Sequence, residues 1–338
     1  MTRVAHVMAG AVNGGAELFF ERLCLALHDA GEDVLAVIRH DNARGERLRR
    51  GGLDPAELRF GGVGDLATRP RLRRVLHNFH PQVVVAWMNR AAHFAPRGPW
   101  QLVGRLGGYY DLRHYRQCDH LVGNTRGIVR WLREQGWAEE RTHYLPNFVT
   151  DFAATPPATD LPPGRPLLLG LGRLHTDKGF DLAIRALSRL PGATLAIAGE
   201  GPELEALQAL ARREGVAERV HFLGWRHDAG ALLRAADLFL CSSRVEPLGN
   251  MVIEAWSAEC PVVAAAAAGP AELLADGTCG LLAENENAAA LAEAVGTLLH
   301  DAARRRSLTH AARSRFEREF AQEPVVVRWR EFLAALAG

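Results

Sequence analysis

Lysine is almost missing from this chain. Of 40 basic side chains, only Lys178 is a lysine, and arginine holds every other basic position. Cysteine is sparse too, with five residues, Cys24, Cys118, Cys241, Cys260 and Cys279, scattered and odd in number. No close pair occurs among them, which argues against a disulfide framework and a zinc site and fits a reducing cytoplasm. Net charge is only +1, so bulk charge gives no sign of a nucleic-acid binder. No uninterrupted apolar run approaches the roughly 18–20 residues of a membrane span. The opening residues lack the charged-then-apolar pattern of a secretory leader, so none is expected. What is present is ordinary for a soluble globular protein: 48% hydrophobic and 23% charged residues.

Length then sets the frame. At roughly 100–200 residues per domain, 338 residues predict two domains, each large enough for its own core. The charge divides unevenly: residues 1–150 hold 21 arginines against 15 acids, a net of +6, which leaves −5 for the remainder. A solvated surface explains this, and so does a basic half that meets an acidic partner or an anionic membrane.

Periodicity predicts alternating strands and helices. Residues 3–9 form a β-branched apolar run, 16–30 have helical spacing stopped by Gly31, and 34–38, 83–87 and 121–123 are further strands. Five prolines between 151 and 166 mark an extended linker. The pattern then restarts. Strands are expected at 167–171, 194–198, 220–223, 238–241 and 261–265, and helices at 180–190, 202–214, 231–235 and 251–258. An amphipathic helix over 323–337 closes the chain. This alternation predicts α/β architecture: two Rossmann-like, doubly wound parallel sheets with ligands beyond the carboxyl ends of the strands, facing each other across a cleft.

Three segments at such strand ends carry chemistry. Gly14-Gly15-Ala16-Glu17 joins the first strand to the first helix, where backbone N–H groups can meet an anion. A tight turn without a ligand explains two glycines equally well, and the spacing is not that of a dinucleotide fingerprint. Gly170-Leu171-Gly172-Arg173 runs on to Asp177-Lys178-Gly179. Arg173 offers a planar fork of donors and Lys178 a compact charge, together suited to a departing diphosphate. Two exposed cations on a loop are the plain alternative. The lone lysine of an arginine chain weighs against it, because an indifferent cation here would be arginine. The third segment runs from Ser242 to Ala255. Glu246 lies in a strand-end loop within reach of a sugar, Leu248, Gly249 and Asn250 open the next helix towards phosphate oxygens, and Glu254 sits one turn inside, placed for a ribose diol. Complementing the helix dipole explains Glu254 alone.

These residues resemble family 4 glycosyltransferases of the two-domain GT-B fold. The likeness covers most of 165–285. It includes Gly172-Arg173 with Lys178-Gly179, Ala198-Gly199-Glu200-Gly201-Pro202, Phe222-Leu223-Gly224, the Glu246/Glu254 pair, Cys260-Pro261-Val262-Val263 and Gly269-Pro270-Ala271-Glu272-Leu273. The resemblance implies a retaining transferase that uses a nucleoside-diphosphate sugar, most simply a UDP-sugar, with no metal and no other cofactor. Arg173 and Lys178 would neutralise the diphosphate, Glu246 would attend the sugar and Glu254 the ribose. Gly14, Gly15, Gly172, Gly199 and Arg226 would border the donor. Residues 1–150 would form the acceptor-side domain, 151–166 the linker, 167–315 the nucleotide-sugar domain and 316–338 a helix crossing back.

One departure lies in the first domain. Many members carry a histidine after a mid-domain strand, where Gly107 or Gly108 stands here. Asp111 is the expected catalytic substitute, with Tyr109, His114 and His93 as alternatives. Each also reads as a loop or cap residue. Rival readings are a dehydrogenase, which lacks its glycine fingerprint, a GT-B sugar-nucleotide epimerase, and a degenerate transferase that binds without turnover. The basic run Arg69-Pro70-Arg71-Leu72-Arg73-Arg74 suits an anionic membrane surface. Glu246-Pro247-Leu248-Gly249-Asn250 with Ala255-Trp256 resembles transferases of bacterial envelope polysaccharide or lipopolysaccharide. A cytoplasmic enzyme at the inner face of the membrane, acting on a glycan or lipid-linked acceptor, is the resulting expectation.

Overall fold

A computed structural model describes residues 1–11, 14–62 and 64–338. It divides into two compact units, Met1–Phe148 with Gln322–Gly338, and Val149–Ala321.

The first unit is built on seven strands: β1 (Arg3–Met8), β2 (Asp33–Arg39), β3 (Ala56–Leu58), β4 (Val83–Trp87), β5 (Gln101–Leu106), β6 (His120–Gly123) and β7 (Thr142–Tyr144). They lie in the order β3-β2-β1-β4-β5-β6-β7, and every pair is parallel. The helices are α1 (Gly15–Asp29), α2 (Asn42–Arg50), α3 (Thr68–Phe79), α4 (Met88–Phe94) and α5 (Arg126–Glu134). Central strands buried on both faces read as unbroken apolar runs rather than alternating ones. β1 is such a strand. Its Val4 and Met8 pack with Phe20 and Leu23 of α1, while Ala5 and Val7 pack with Leu72 of α3 and Ala91 of α4.

The second unit has six strands: β8 (Leu167–Leu171), β9 (Thr194–Ala198), β10 (Val220–Gly224), β11 (Leu238–Cys241), β12 (Val262–Ala265) and β13 (Leu281–Ala283). Their order is β10-β9-β8-β11-β12-β13, again all parallel. Between and after them run α6 (Phe180–Leu187), α7 (Leu204–Arg213), α8 (Ala229–Ala235), α9 (Asn250–Ser257), α10 (Ala268–Leu274), α11 (Ala288–His300) and α12 (Ala302–Glu319). One face packs α6, α7 and α11 over Leu168, Leu195 and Leu240. The other packs α8, α9 and α12 over Leu169, Ala196 and Phe239.

A last helix, α13 (Gln322–Ala337), belongs to the first unit. Its Val325, Trp329 and Leu333 are fully buried in the same core as α1 and β1. All five cysteines are buried free thiols. No helix among the described residues is long and apolar enough to cross a membrane.

In each sheet the chain winds outward one way through the first three strands and then the other way. The reversal falls between β1 and β4, and between β8 and β11. Ligands of open parallel sheets settle at such switch points, beyond the strands' carboxyl ends.

Candidate functional site

The second unit's switch point brings the loops after β8 and β11 together. Gly172 leaves β8 with φ 148°, and its N–H donates to Ala198 O at 3.0 Å. Leu174 N donates to Glu200 O at 2.9 Å, and Gly199 N to Gly224 O at 2.8 Å. Backbone thus ties the exits of β8, β9 and β10 together. A Cβ on Gly199 would stand 1.9 Å from Gly172 O, so only glycine fits there.

Lys178 ends the short 3-10 turn Thr176–Lys178. Gly179 follows with φ 60°, and a Cβ there would meet Ser242 O at 2.1 Å. Ser242 Oγ donates to Lys178 O at 3.0 Å. Arg244 N and Val245 N both donate to Asp177 O, at 2.8 and 3.2 Å. The Arg244 guanidinium forks onto Asp181 with two bonds of 2.7 Å. Burial pushes the Asp181 carboxyl up, but the Arg244 fork outweighs it and holds the group below its ordinary range.

This stitching places Lys178 Nζ 2.5 Å from Glu246 Oε2. The two side chains are only 26% and 16% exposed, so their attraction is less screened than that of a surface pair. Glu246 Oε1 also accepts from Gly249 N at 3.3 Å. Gly249, at φ 82°, caps α9, with Asn250 as the first helical residue and Glu254 half-buried one turn further in. Leu248 is buried just ahead of them, and a Cβ on Gly269 would come within 2.4 Å of the Leu248 carbonyl carbon. A small cavity lies here, lined by Leu171, Lys178, Ser242, Ser243, Glu246 and Gly249 among others.

Arg173 is exposed on the same β8 exit. Arg226 is engaged elsewhere. It forks onto Asp160 at 2.7 and 3.0 Å and onto Asp228 at 2.8 and 2.6 Å. Those bonds push its pKa up and tie the proline-rich segment to the β10 exit. Two carboxylates already neutralise this charge, so Arg226 is a strut in this structure rather than an open cation. Its neighbour Trp225 is 62% exposed.

In the first unit Gly14 caps α1 and Gly15 begins it. Glu17 curls back over them, its Oε1 accepting from Ala11 N at 2.8 Å. A Cβ on Gly14 would meet Glu17 Oε2 at 2.2 Å. The start of this helix is therefore occupied by the chain's own carboxylate. Asp111 caps the 3-10 turn Leu112–His114, accepting from Arg113 N at 3.0 Å and pairing with the Arg113 guanidinium at 2.6 Å. His93 and His114 meet edge-on, with ring centroids 5.6 Å apart. Tyr109 packs on Trp131. Among the described residues no group of three or more His, Cys, Asp or Glu is placed to hold a metal.

Sequence reasoning passed over Arg39, Asn89, Arg90 and Tyr110, which line a cavity beyond β1, β2 and β4. A signal for three of them was available, since each stands at the end of an expected strand: Arg39 after 34–38, and Asn89 and Arg90 after 83–87.

Comparison with known proteins agrees with this layout. The family model described as Glycosyltransferase Family 4 matches residues 13–151, and that described as Glycosyl transferases group 1 matches residues 151–315. The lipopolysaccharide core biosynthesis glycosyltransferase LpsE of Rhizobium meliloti is 32% identical, over 98% of this chain and 99% of its own. LpsD of the same organism is 32% identical over 96% of this chain and 95% of its own. Among solved structures, Anabaena HepE in complex with UDP superposes with a TM-score of 0.84 at 22% identity, covering 98% of this chain and all of that one. The likeness to HepE extends to the fold, two Rossmann-like domains of the GT-B kind. By near full-length identity to LpsE and LpsD and by both domain matches, the chain belongs to the glycosyltransferases that pair a family 4 domain with a group 1 domain.

Proposed function

We propose that the enzyme moves a sugar from a nucleoside-diphosphate sugar, with uridine the first candidate base, to an acceptor hydroxyl, with retention and without a metal ion. The observation that carries this reading is the Lys178–Glu246 contact at the β8/β11 switch point. An ammonium has three protons to donate. One goes to Glu246, which fixes the direction of Nζ, and two remain for diphosphate oxygens. The bond from the anomeric carbon to the diphosphate breaks, and negative charge grows on the leaving oxygen. Lys178 and exposed Arg173 oppose that charge, an effect typically worth a few kcal/mol per group. The acceptor oxygen bonds to the anomeric carbon from the same face, and its proton departs with the diphosphate. N–H groups at the start of α9 hold phosphate oxygens, and Glu254 holds the ribose.

The rest of the reading draws on the relatives. LpsE and LpsD are named for lipopolysaccharide core biosynthesis, and HepE is in complex with UDP. The LpsE and LpsD names support an envelope-glycan role, and the HepE complex supports a uridine base. We place the work in the cytoplasm at the anionic inner face of the membrane, with a glycan or lipid-linked acceptor. In support of that placement, Arg69, Arg71, Arg73 and Arg74 are all exposed along α3, while Leu72 and Leu76 are buried beneath them.

The test is a thermal-shift panel with UDP, GDP, ADP and NADH on wild type and Lys178→Ala. A ligand at about 100 times its dissociation constant adds roughly 2.7 kcal/mol to the native state. UDP is expected to raise the wild-type midpoint in chelator as well as without it, and the rise is expected to vanish in Lys178→Ala. A shift from NADH alone, or an unchanged UDP shift in the variant, would remove the diphosphate assignment.

A further inference from the structure

The sheet of the first unit has a switch point of its own, and the chain leaving its strands lines a cavity there. Gly10 and Ala11 come from the β1 exit, Asn89 and Arg90 from the β4 exit, Arg39 ends β2, and Tyr110 follows β5. A second cavity shares Asn89 and Arg90 and adds His93, Phe94 and His114. At the corner between them Met88 takes φ 63°, a conformation uncommon for a residue other than glycine.

The polar groups of this surface are not used up by the fold. Arg39 and Arg90 are exposed, and neither guanidinium has an ion-pair partner among the described residues. Asn89 Oδ1 is shut off from solvent and accepts no hydrogen bond. A ligand therefore reaches Asn89 through its amide N–H2, which donates, and not through this oxygen. The Tyr110 phenol, partly exposed on the cavity wall, can both donate and accept. One carboxylate lines the two cavities, Asp65. It already accepts from Gly61 N at 2.6 Å, Ala67 N at 3.2 Å, Thr68 N at 3.0 Å and Thr68 Oγ at 2.6 Å. The surface therefore offers two open guanidiniums beside Asn89 and Tyr110, and its two nearby carboxylates, Asp65 and the Glu17 that lies against Gly10 and Ala11, are both turned to backbone N–H groups.

We propose that this surface binds an acidic sugar, with its carboxylate or phosphate monoester on Arg39 and Arg90 and its hydroxyls on Asn89 and Tyr110. Guanidinium forks suit both acids, since each presents two oxygens to a planar pair of donors. That the sugar bound here is the acceptor rests on the transferase reading above; that an acidic sugar binds here does not.

The experiment is calorimetric titration of the full chain with glucuronate, glucose 6-phosphate and glucose, in saturating UDP so that the diphosphate site is filled. At least one of the two acids is expected to bind, at least tenfold more tightly than glucose, and which one does so identifies the acid. Arg39→Gln/Arg90→Gln is expected to weaken that acid at least tenfold and to leave UDP affinity unchanged, which also shows that the variant is folded. The two single variants serve if the pair fails to fold. Equal acid binding by wild type and variant, or acids no tighter than glucose, overturns the subsite. If UDP itself fails to bind wild type, the donor reading falls instead, and the same acid titrations without UDP still decide the subsite.

Discussion

Lys178 and His6 are each read best from what surrounds them. Lys178 is informative because arginine could have stood there. Its ammonium meets Glu246 at 2.5 Å inside a small cavity, where the larger guanidinium would need more room. His6 is the reverse case, a histidine with no chemistry to do. It is fully buried on β1 among Phe20, Trp87 and Trp329, and its Nδ1 accepts from Trp87 Nε1 at 3.1 Å. Nε2 is buried without a partner. Burial pushes its pKa from 6.5 down to about 3, so the fold holds it neutral. Between those two values the unfolded chain binds a proton that the native chain does not, so stability rises with pH. The contribution is complete above about pH 6.5 and is lost as pH falls towards 3. Going from about pH 7 to about pH 5 should cost roughly 2 kcal/mol at about 1.4 kcal/mol per pKa unit. His143, pushed down to about 4 by burial and by His120, adds to the same slope, less fully because it is only half-buried. Thermal midpoints measured across that range should fall in wild type and fall less in His6→Asn, whose amide oxygen can still accept from Trp87. Parallel curves for the two proteins would remove His6 as the cause.

At the scale of elements, α13 shows how a long-range partner completes a core. Trp329, Val325 and Leu333 are fully buried in the core of the first unit. Arg330 Nε donates to Glu32 Oε1 at 2.8 Å, and Glu32 also accepts from Thr2 N. Burial opposes ionisation of Glu32, yet those bonds hold its carboxyl below the ordinary range. One carboxylate thus ties the start of β1 to the last helix. Truncating a buried tryptophan typically costs about 3–5 kcal/mol. Trp329→Ala should lower stability by that amount in chemical denaturation, and a loss below about 1 kcal/mol would mean the helix lies loosely on α1. The apolar stripe of α13 was plain in the sequence, as were β4, β8, β9 and β11, whose expected bounds coincide with those observed. These strands are central and dry, so burial writes an unbroken apolar run. Central β5, buried at all but Gln101, was passed over because Gly104 and Arg105 interrupt its run, and other missed elements lacked the signature altogether. β3, β7 and β13 are three-residue strands at the sheet edges, too short for a period. α2 buries Leu48 as its one large apolar side chain, and α12 shows only Leu308, Ala312 and Phe316 amid arginine and alanine. At the candidate site, Lys178 and Glu246 could be singled out because each stands at a strand exit with chemistry of its own, and the structure brings the two together. The Asp160–Arg226–Asp228 strut could not be, because Asp160 comes from 66 residues away.

At the scale of the whole molecule, charge is the property that no single element explains. The near-neutral total conceals a net of +6 on residues 1–150. Part of that excess is spent internally, as in Arg44 and Arg47 on Glu21. The four arginines of α3 are not spent in this way. They are exposed, and among the described residues the one side-chain bond they make is from Arg69 to Gln117 at 3.3 Å. Leu66, 87% exposed, stands just before the helix. A basic face with an apolar residue beside it is the composition that anionic bilayers attract, at about 1 kcal/mol per cation near the surface. Such binding should be weak in each contact and steep in salt, because the screening length shrinks from about 10 Å at 0.1 M to about 3 Å at 1 M. Sedimentation with phosphatidylglycerol vesicles at low salt should therefore carry the protein down, phosphatidylcholine vesicles should not, and high salt should release it. Replacing Arg69, Arg71, Arg73 and Arg74 with glutamine should reduce capture to the phosphatidylcholine level while UDP still raises the thermal midpoint. Wild type that stays in the supernatant at low salt would remove the membrane from the reading. Capture that survives the fourfold replacement would keep the membrane and move the contact away from α3.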